Sequence, residues 1–415
     1  MNFQECLQYL QKRGDEVLAM RFGLKTTRLL LQRLGRPHLQ VPSVLVAGTN
    51  GKGSVARFLA SILQRAGYRT ALYTSPHLVR ITERMRIGGS EISRAAFSKH
   101  VSRVVEAAAP DLSPTYFELL TVAAFCWFAE RKAEISVLEV GMGGRLDSTN
   151  VVLPEVAVIS RIGMDHRRIL GETIAAIARE KAGILRKAKR AWTVQQHPDA
   201  AAALQEEAQR FGAPLKVLKG LKVLGQEDGR FRFSYREKKY RLNAFGEFQT
   251  ENAGLAIAAA LELSEAGFDA SPQALREGVE RCRIEGVLTR EADSPPLFLD
   301  GGHNPQAARA LVEFAESYTA RPRALVFGIM RDKDVSEVLE ILRPCFEVAF
   351  FVPIRSKRAA APEECRKLFG RGEVVGEAVE GLFRARSTGL PTFATGSLYL
   401  IGELLARRGE WEKGG

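Results

Sequence analysis

The stretch that decides the fold of this chain is Ser43-Val44-Leu45-Val46-Ala47-Gly48-Thr49-Asn50-Gly51-Lys52-Gly53-Ser54. Its first five residues predict a buried strand and its glycine-rich part predicts a loop, after which the apolar spacing predicts a helix that ends near Gly67. A short apolar run at 70–73 predicts the next strand. Strand, loop, helix and strand form a βαβ unit, which indicates a parallel sheet.

The glycine-rich loop 48–54 has the composition of a phosphate-binding loop. Such a loop presents backbone N–H groups at a helix N-terminus, while Lys52 adds a cation and the Ser54 hydroxyl can reach Mg²⁺. The pattern departs from G-x-x-x-x-G-K-[ST], because Val46 replaces the first glycine and Gly53 separates the lysine from the hydroxyl. Strand, lysine and helix all align, so the sequence favours nucleoside triphosphate binding over a glycine-rich turn without a ligand.

Apolar runs and helical patterns continue to alternate beyond this unit, which indicates an α/β fold with a mostly parallel sheet covered on both faces. The predicted elements are strands at 135–140 and 156–160 and helices at 116–131 and 174–182. Residues 3–35 predict an amphipathic helical start. Residues 190–242 combine a strand, a helix and short basic strands around a turn, and we expect them to form a peripheral addition to this domain.

A second α/β series follows Pro295 and Pro296. Its predicted elements are strands at 297–300, 323–328, 348–352 and 392–395 and helices at 305–317, 335–342, 362–369 and 397–407. At about 150 residues per domain, a chain of 415 residues suggests two or three domains. The pattern favours two, at 1–288 and 289–415.

The composition is that of a globular protein, with 46% hydrophobic and 26% charged residues. Lys and Arg number 60 against 48 Asp and Glu, and the resulting net charge of +12 attracts anions of every kind. The five cysteines are far apart and form neither a C-x-x-C pair nor a zinc spacing, so we expect a reducing, cytoplasmic location. No signal-peptide pattern and no apolar stretch long enough for a bilayer is visible, which predicts no membrane partner.

Three further residues are candidates for the chemistry. Glu139 ends a predicted strand at the edge where open α/β sheets bind ligands, and a carboxylate that faces a phosphate-binding loop is a natural Mg²⁺ ligand. The alternative is an exposed acid at a strand end. His166 can ligate a metal through a neutral imidazole, and Lys181 lies on the helix that should return over the site. A lone histidine is more often structural than metal-binding, and a lysine on a helix is more often exposed to solvent than catalytic. Neither residue alone therefore establishes a site.

Together these segments resemble the folylpolyglutamate synthase / dihydrofolate synthase family, within the Mur ligase superfamily, along nearly the whole chain. The resemblance rests on motifs that agree in order and spacing. They are Ala47-Gly48-Thr49-Asn50-Gly51-Lys52-Gly53-Ser54, Tyr73-Thr74-Ser75-Pro76-His77-Leu78, Glu83-Arg84, Pro114-Thr115-Tyr116-Phe117-Glu118, Glu139-Val140-Gly141, Arg145-Leu146-Asp147-Ser148-Thr149-Asn150, Asp165-His166, Leu170-Gly171, Glu180-Lys181-Ala182-Gly183-Ile184, Phe248-Gln249 with Asn252, Asp300-Gly301-Gly302-His303-Asn304-Pro305, Asp332-Lys333-Asp334 and Thr395-Gly396-Ser397-Leu398-Tyr399.

The resemblance implies a P-loop, Mur-ligase-like domain with a mostly parallel sheet, followed by a smaller Rossmann-like α/β domain. It also implies an ATP-dependent amide ligase. In this family ATP phosphorylates a substrate carboxylate, and the amine of L-glutamate attacks the resulting acyl phosphate. The implied small molecules are ATP, L-glutamate and dihydropteroate or folate, with Mg²⁺ expected as two ions. Neither nucleic acid nor a membrane is an expected partner, and a monomer is expected.

The motifs also imply which residues do this work. The triphosphate of ATP is expected to bind Thr49, Asn50, Gly51, Lys52, Gly53 and Ser54, and its adenine and ribose are expected to contact Asn252 and Asp300. Mg²⁺ is expected at Ser54, Glu139 and His166. Glutamate is expected near His303 and Ser397, and the pterin-bearing substrate beside Ser75, Pro76 and His77. Lys52, Lys181 and His303 are the expected catalytic residues. Lys181 corresponds to a lysine that is carbamylated in many Mur-type ligases, which would give Mg²⁺ an anionic partner and requires a lowered pKa.

The chain departs from the family at a segment whose arginine is expected to reach the ATP phosphates. An ungapped alignment from Asp300 places Val287 there, whereas an insertion would let Arg283 fill the role, and both registers stay open. Three other functions remain as alternatives: another Mur-type ligase acting for instance on a cell-wall nucleotide precursor, a nucleic-acid-stimulated P-loop ATPase suggested by the charge, and a catalytically impaired paralogue used for binding. The segments Thr74-Ser75-Pro76-His77 and Pro114-Thr115-Tyr116-Phe117-Glu118 favour the folate branch, and no basic stripe with interleaved aromatics supports the ATPase.

Overall fold

The computed structural model describes residues 1–14 and 23–411, so residues 15–22 and 412–415 lie outside the described part. Part of the predicted amphipathic start at 3–35 therefore falls outside the described residues. On either side of that gap the chain forms helices α1 (Phe3–Lys12) and α2 (Lys25–Arg33). Cys6 and Leu10 of α1 and Leu30 and Leu31 of α2 are buried in the core of the first domain.

A large sheet forms the centre of the first domain. Its strands are β1 (Ser43–Ala47), β2 (Thr70–Tyr73), β3 (Met85–Ile87), β4 (Ser90–Glu91), β5 (Ile135–Glu139), β6 (Pro154–Ile159), β7 (Ala191–Thr193) and β8 (Leu215–Val217). Their order is β4-β3-β2-β5-β1-β6-β7-β8. Strands β2, β5, β1, β6, β7 and β8 pair in parallel, while the β2-β3-β4 edge is antiparallel.

Helices cover both faces of this sheet. They are α3 (Lys52–Arg65), α4 (Arg94–Ala108), α5 (Tyr116–Glu130), α6 (Arg167–Leu170), α7 (Ile174–Ala182), α8 (Pro198–Phe211), α9 (Phe248–Leu263) and α10 (Pro272–Glu280), with 3₁₀ turns at Pro37–Leu39, Ile81–Arg84, Gly183–Lys187 and Ser264–Ala266. Leu45 and Ala47 of β1 belong to one core cluster, whereas Val44 and Val46 belong to the cluster on the opposite face. Burial on both faces explains why the strand is apolar without interruption.

Residues 190–242 are not the peripheral addition that the sequence predicted. Strands β7 and β8 extend the large sheet in parallel, with α8 between them. The remainder forms a separate antiparallel sheet from β9 (Lys222–Glu227), β10 (Arg230–Tyr235) and β11 (Lys238–Phe245). Phe233 stacks on Tyr240 across this sheet at 5.2 Å between ring centroids. We call it the β9–β11 sheet.

The second domain has its own sheet. Its strands are β12 (Thr289–Asp293), β13 (Pro296–Leu299), β14 (Ala324–Phe327), β15 (Val348–Phe351), β16 (Glu373–Val374) and β17 (Thr392–Thr395), in the order β12-β13-β17-β14-β15-β16. Its helices are α11 (Pro305–Tyr318), α12 (Val335–Leu342), α13 (Pro362–Phe369), α14 (Ala378–Ser387), α15 (Leu398–Ala406) and α16 (Arg408–Trp411). Except for the antiparallel β12-β13 pair, the described strands pair in parallel.

The predicted class, two α/β domains built on mostly parallel sheets, is confirmed. The elements that the sequence missed include strands β3, β4, β12 and β16 and helices α4 and α14. The residues of β12 are polar and half-exposed because the strand lies at the edge of its sheet, so they lack the apolar run of the central strands. In the described residues no helix is long and apolar enough to cross a membrane, and all five cysteines are free and buried.

Candidate active site

A cavity of about 1040 Å³ lies where the carboxyl ends of β1 and β5 face the second domain. It is lined by the loop 48–54, the end of β5, the start of α9, the β9–β11 sheet, the segment 284–288, the loop 300–303 and one face of α11. In open α/β sheets this edge is where ligands bind. The size and the mixture of apolar and charged lining suit a nucleotide together with a second small molecule.

Two glycines give the loop 48–54 its shape. Gly51 precedes α3 with a φ of 85°, and a Cβ there would lie 2.3 Å from Asn252 Oδ1. Gly48 has a φ of 149°, and a Cβ there would lie 1.9 Å from Ser160 Oγ, which donates to the carbonyl of Asn50 at 2.7 Å. The loop therefore packs directly on β6 and α9, and it presents the N-terminus of α3 to the cavity, where an anion is favoured.

Two lysines donate to backbone carbonyl groups of this loop, one from within the loop and one from α7. Lys52 Nζ donates to the carbonyl of Thr49 at 3.1 Å. Lys181, at the end of α7, is buried, and its Nζ donates to the carbonyl of Gly48 at 2.7 Å. Burial, reinforced by the charge of Lys52, lowers the pKa of Lys181 to about 7. Near neutral pH the neutral amine is therefore far more accessible than in an ordinary lysine.

The motif at 144–150 holds the end of α7 in place. Arg145 N donates to the carbonyl of Glu180 at 2.9 Å, and Asn150 Nδ2 donates to that of Gly183 at 3.1 Å. A Cβ on Gly144 would lie 2.8 Å from the carbonyl oxygen of Lys181, so only glycine allows this close approach. Gly144, Arg145 and Asn150 of this motif thus position the buried lysine.

Glu139 ends β5 directly beside the loop. One carboxylate oxygen accepts from Ser75 N at 3.0 Å, and a Cβ on Gly53 would lie 3.4 Å from both carboxylate oxygens. Burial raises the pKa of Glu139, an effect that the charge of Lys52 opposes. Ser54 is also buried, and its hydroxyl accepts from Gln249 Nε2 at 3.3 Å. No role is predicted for Gln249 from the sequence, although it belongs to the Phe248-Gln249 motif.

Four side chains from both domains meet at the edge of the cavity, and we call Asp165, His166, His303 and Lys333 the bridging cluster. Lys333 Nζ donates to Asp165 Oδ1 at 2.6 Å and lies 3.2 Å from His166 Nε2. His303 Nε2 lies 3.3 Å from Asp165 Oδ2. Burial alone would raise the pKa of Asp165, but His303 and Lys333 outweigh it and hold this pKa well below its usual range. Burial, reinforced by Lys333, lowers the pKa of His166 to about 3.

An amide pair makes a second connection between the domains. Asn50 and Asn304 exchange two hydrogen bonds, at 3.1 and 2.9 Å, and Asn50 also donates to Gln306 Oε1 at 2.8 Å. Asn304 is at the same time the N-cap of α11, where its Oδ1 accepts from Ala307 N. The start of α11 is thereby fixed against the phosphate loop.

Several expected site residues already use their polar atoms in contacts with nearby backbone or side-chain groups. Asp300 accepts from Leu288 N at 3.2 Å and from Gly302 N at 3.0 Å, and burial raises its pKa. Ser397 caps α15 by accepting from Tyr399 N at 3.2 Å. In the first domain, His77 Nδ1 accepts from Arg84 Nε at 2.9 Å.

The cavity brings most of the sequence-predicted site residues together. Those that line it are Thr49, Asn50, Gly51, Lys52, Gly53, Ser54, Ser75, Pro76, Glu139, His166, Lys181, Asn252, Asp300 and His303. His77 and Ser397 are not part of this lining, although Pro76, Leu78 and Leu398 are. Val287 also lines the cavity, whereas Arg283 is exposed outside it.

The expected metal ligands carry suitable donors but do not form a complete site by themselves. Ser54 offers a hydroxyl, Glu139 a buried carboxylate and His166 a neutral imidazole. Within the described residues, no three His, Cys, Asp or Glu side chains gather as a ready-made metal site. Mg²⁺ usually completes its shell with phosphate oxygens and water, so an incomplete protein set beside a phosphate loop fits this ion.

Known proteins share both the sequence and the fold. The chain matches the Mur ligase middle domain over residues 46–260 and the glutamate ligase domain of Mur ligases over 283–388. A Bacillus subtilis (strain 168) protein named dihydrofolate synthase/folylpolyglutamate synthase is 34% identical over 409 residues, which cover 93% of this chain and 94% of the relative. The Escherichia coli (strain K12) protein of the same name is 35% identical over 380 residues, covering 88% and 85%.

Solved structures agree along the whole length. E. coli FolC in complex with DHPP and ADP has a TM-score of 0.89 and 30% identity, and the match covers 99% of each chain. Folylpolyglutamate synthase from Mycobacterium tuberculosis complexed with ADP has a TM-score of 0.89 and 30% identity, covering 99% of this chain and 98% of that one.

Proposed function

Because the chain belongs to the folylpolyglutamate synthase / dihydrofolate synthase family of Mur ligases, it is an ATP-dependent ligase that joins glutamate to folates, and we propose that it accepts both dihydropteroate and reduced folates. One observation carries the residue-level proposal: Lys52, Glu139 and Lys181 surround a phosphate loop at the point where His303 of the second domain reaches the cavity. Both B. subtilis and E. coli relatives are named for the two activities.

Residues 49–54 are proposed to hold the triphosphate of ATP. The first step joins two anions, a carboxylate and the terminal phosphate, so catalysis depends on positive charge placed between them. Lys52 supplies that charge beside the N-terminus of α3. Asn252 and Asp300 are proposed for the adenosine part, because both line the cavity on either side of the loop.

Ser54, Glu139 and His166 are the proposed holders of Mg²⁺, expected as two ions. When bound, the metal would neutralise phosphate charge and polarise the phosphoryl group. The raised pKa of Glu139 falls when a cation binds, which favours the carboxylate form. Lys333 lies against His166 Nε2, so binding of a metal at this nitrogen requires the ammonium to move away.

Lys181 is the proposed site of carbamylation. Its neutral amine would attack CO₂, form a bond between Nζ and carbon and release one proton, which leaves an anionic carbamate. The lowered pKa of about 7 supplies the neutral amine, and burial shields the product from water. An ammonium in this position would repel Mg²⁺, whereas a carbamate would attract it.

The second half of the reaction is assigned to the loops that face the phosphate loop. His303 and Ser397 are proposed to lie near the incoming glutamate, and Ser75, Pro76 and His77 beside the pterin-bearing substrate. Ser397 and His77 are not among the residues that line the cavity, but their neighbours Leu398, Pro76 and Leu78 are, so they are proposed to act by shaping these loops. Closure of the two domains would exclude water from the acyl phosphate.

Three broader features complete the proposal. The chain is divided at 288/289, since the strands of the second sheet begin at Thr289. It acts as a monomer, with neither nucleic acid nor a membrane as partner. It works in the cytoplasm, where five free, buried thiols are stable.

The test is a product assay with ATP, L-glutamate and either dihydropteroate or tetrahydrofolate. We expect ADP together with products whose mass has increased by one glutamate residue, from both substrates. A product from one substrate alone would contradict the dual specificity. ATP hydrolysis that depends on nucleic acid, without any glutamylated product, would overturn the ligase assignment.

A further inference from the structure

The cationic side chains that line the cavity differ in what they already bind. In the described part of the chain they are Lys52, Arg57, Arg161, Lys181 and Arg309. Arg161 donates to Glu251 and Arg309 to Glu337, so an acidic partner neutralises each of them. Lys52 and Lys181 donate to carbonyl groups of the phosphate loop itself.

Arg57 is the exception. Among the described residues it has neither a hydrogen bond nor an ion pair, although it is half-buried and lines the cavity. It lies four residues after Gly53 on α3, on the same face of the helix, and helical side chains lean toward the N-terminus of their helix. The guanidinium is therefore directed toward the phosphate loop.

Two ionisable groups near Arg57 show where its side chain lies. Its charge lowers the pKa of Glu139, which lies against Gly53, and that of the Cys282 thiol, although burial raises both more strongly. Arg57 therefore lies between the end of β5 and the chain that leads into segment 284–288. This is the end of the cavity where the terminal phosphate of a nucleotide on the loop would meet a second substrate.

The wall formed by segment 284–288 offers no cation of its own. Ile284, Glu285, Val287 and Leu288 line the cavity there, and Arg283 is exposed outside it. Transfer of a phosphoryl group to a carboxylate concentrates negative charge at this point. A half-buried guanidinium without a partner is suited to that charge, because its planar donors bind two phosphate oxygens at once.

We propose that Arg57 binds the terminal phosphate of the nucleotide and remains on it during transfer to the substrate carboxylate. This inference rests on the proposed function, since it assigns a residue to the same reaction. It distinguishes Arg57 from Arg161 and Arg309, which line the same cavity but are held by Glu251 and Glu337.

The test compares ligands that differ by one phosphate. Binding of ADP and of the β,γ-methylene analogue of ATP, each with Mg²⁺, is measured by calorimetry for the wild type, Arg57→Ala and Arg57→Gln. A lost charge-assisted hydrogen bond predicts that both variants bind the analogue about 10- to 100-fold more weakly. Binding of ADP should change less than threefold. The turnover number should fall by a similar factor, with the KM for L-glutamate unchanged.

Arg309→Ala is the matched control, and it should leave the preference for the triphosphate intact. The proposal would be overturned if Arg57→Ala and Arg57→Gln weaken the binding of ADP and of the analogue equally, or leave both unchanged. It would also be overturned if the only effect is a higher KM for L-glutamate or for the pteridine substrate. Thermal unfolding identifies a variant that does not fold, and Arg57→Gln then carries the test because it keeps a polar side chain. Product formation by the wild type tests the ligase function separately, so the two failures are distinguishable.

Discussion

The two walls of the cavity use their polar groups in opposite ways. On the first-domain wall, Lys52, Glu139 and Lys181 surround the phosphate loop and line the cavity. On the second-domain side, Asp300 lines the cavity but accepts from the backbone N–H groups of Leu288 and Gly302, and Ser397, which lies outside the lining, caps α15. The anion site thus lies on the first wall, whereas the second wall meets it where His303 and Lys333 contact Asp165. Substitutions on each wall should separate the effect of binding the phosphates from the effect of holding the two walls together.

The largest effect is expected from the loop itself. Gly51→Ala places a Cβ 2.3 Å from Asn252 Oδ1 in a backbone with a φ of 85°, so the loop must move away from α9. We expect turnover to fall more than about 100-fold, because the N–H groups at the start of α3 are displaced from the phosphates. Steady-state kinetics with ATP as the varied substrate measures the loss.

Gly67→Ala is the control at the other end of the same helix. Its φ of 96° imposes the same kind of backbone strain, but nothing lies within 4 Å of the added Cβ. Both variants should lose about 1 kcal/mol of unfolding free energy from that strain. Only Gly51→Ala should lose activity, and an equal loss in Gly67→Ala would show that strain, rather than the contact with Asn252, is responsible.

The second prediction concerns the buried charge of the same wall. Lys181→Met should lower turnover about 100-fold or more, and added bicarbonate should not restore it, because methionine can neither carry a proton nor form a carbamate. Full activity of this variant would remove the carbamate from the mechanism. The residual activity is compared with that of the wild type in buffers with and without bicarbonate.

Lys181 also gives the fold a pH dependence. Burial lowers its pKa from the ordinary 10.5 to about 7. Between these two values the unfolded chain holds a proton that the folded chain lacks, so the unfolding free energy decreases as the pH falls from 10 toward 7. In CO₂-free buffer, the unfolding free energy of the wild type should fall by up to about 1.4 kcal/mol more than that of Lys181→Met for each unit by which the pH is lowered. Parallel urea-melting profiles for the two proteins would contradict the lowered pKa.

The same contrast explains what the sequence could predict. Residues of the first wall come from short motifs at strand ends, so local pattern alone placed Lys52 and Glu139 on one edge of a sheet. Contacts across the cavity join residues far apart in the chain, as between Asp165 and Lys333, and no local pattern specifies them. Arg57 looks like any solvated arginine on a helix until the pairing of the other cavity cations is known. The lining role of the β9–β11 sheet was missed for the same reason.

The third prediction tests the contact between the walls. Asp165→Asn leaves the buried ammonium of Lys333 without its carboxylate, and breaking such a pair costs about 3 kcal/mol of stability. Turnover should fall about 10- to 100-fold. The double variant Asp165→Asn with Lys333→Met should recover much of the stability, since it removes the unpaired charge, but not the activity. Recovery of both would mean that the bridging cluster only holds the domains together.

The smallest effect is expected far from the phosphates, where the β9–β11 sheet meets the second domain. Asp228, at the turn between β9 and β10, accepts from both terminal nitrogens of Arg290, at 3.0 and 3.1 Å, and from the Tyr318 hydroxyl at 2.8 Å. The sheet and α11 both line the cavity, so this contact should set their positions relative to each other there.

Asp228→Asn should therefore raise the KM for ATP about threefold and leave the turnover number unchanged, because an exposed ion pair contributes little. Asp293→Asn is the matched control: Asp293 pairs with the same Arg290, through Nε at 3.0 Å, but lies on the same strand β12 and bridges nothing. An equal rise in KM for both variants would assign the effect to the charge of Arg290. A rise in Asp228→Asn alone would show that the second wall acts on the nucleotide by holding the β9–β11 sheet, in contrast to the direct contacts of the first.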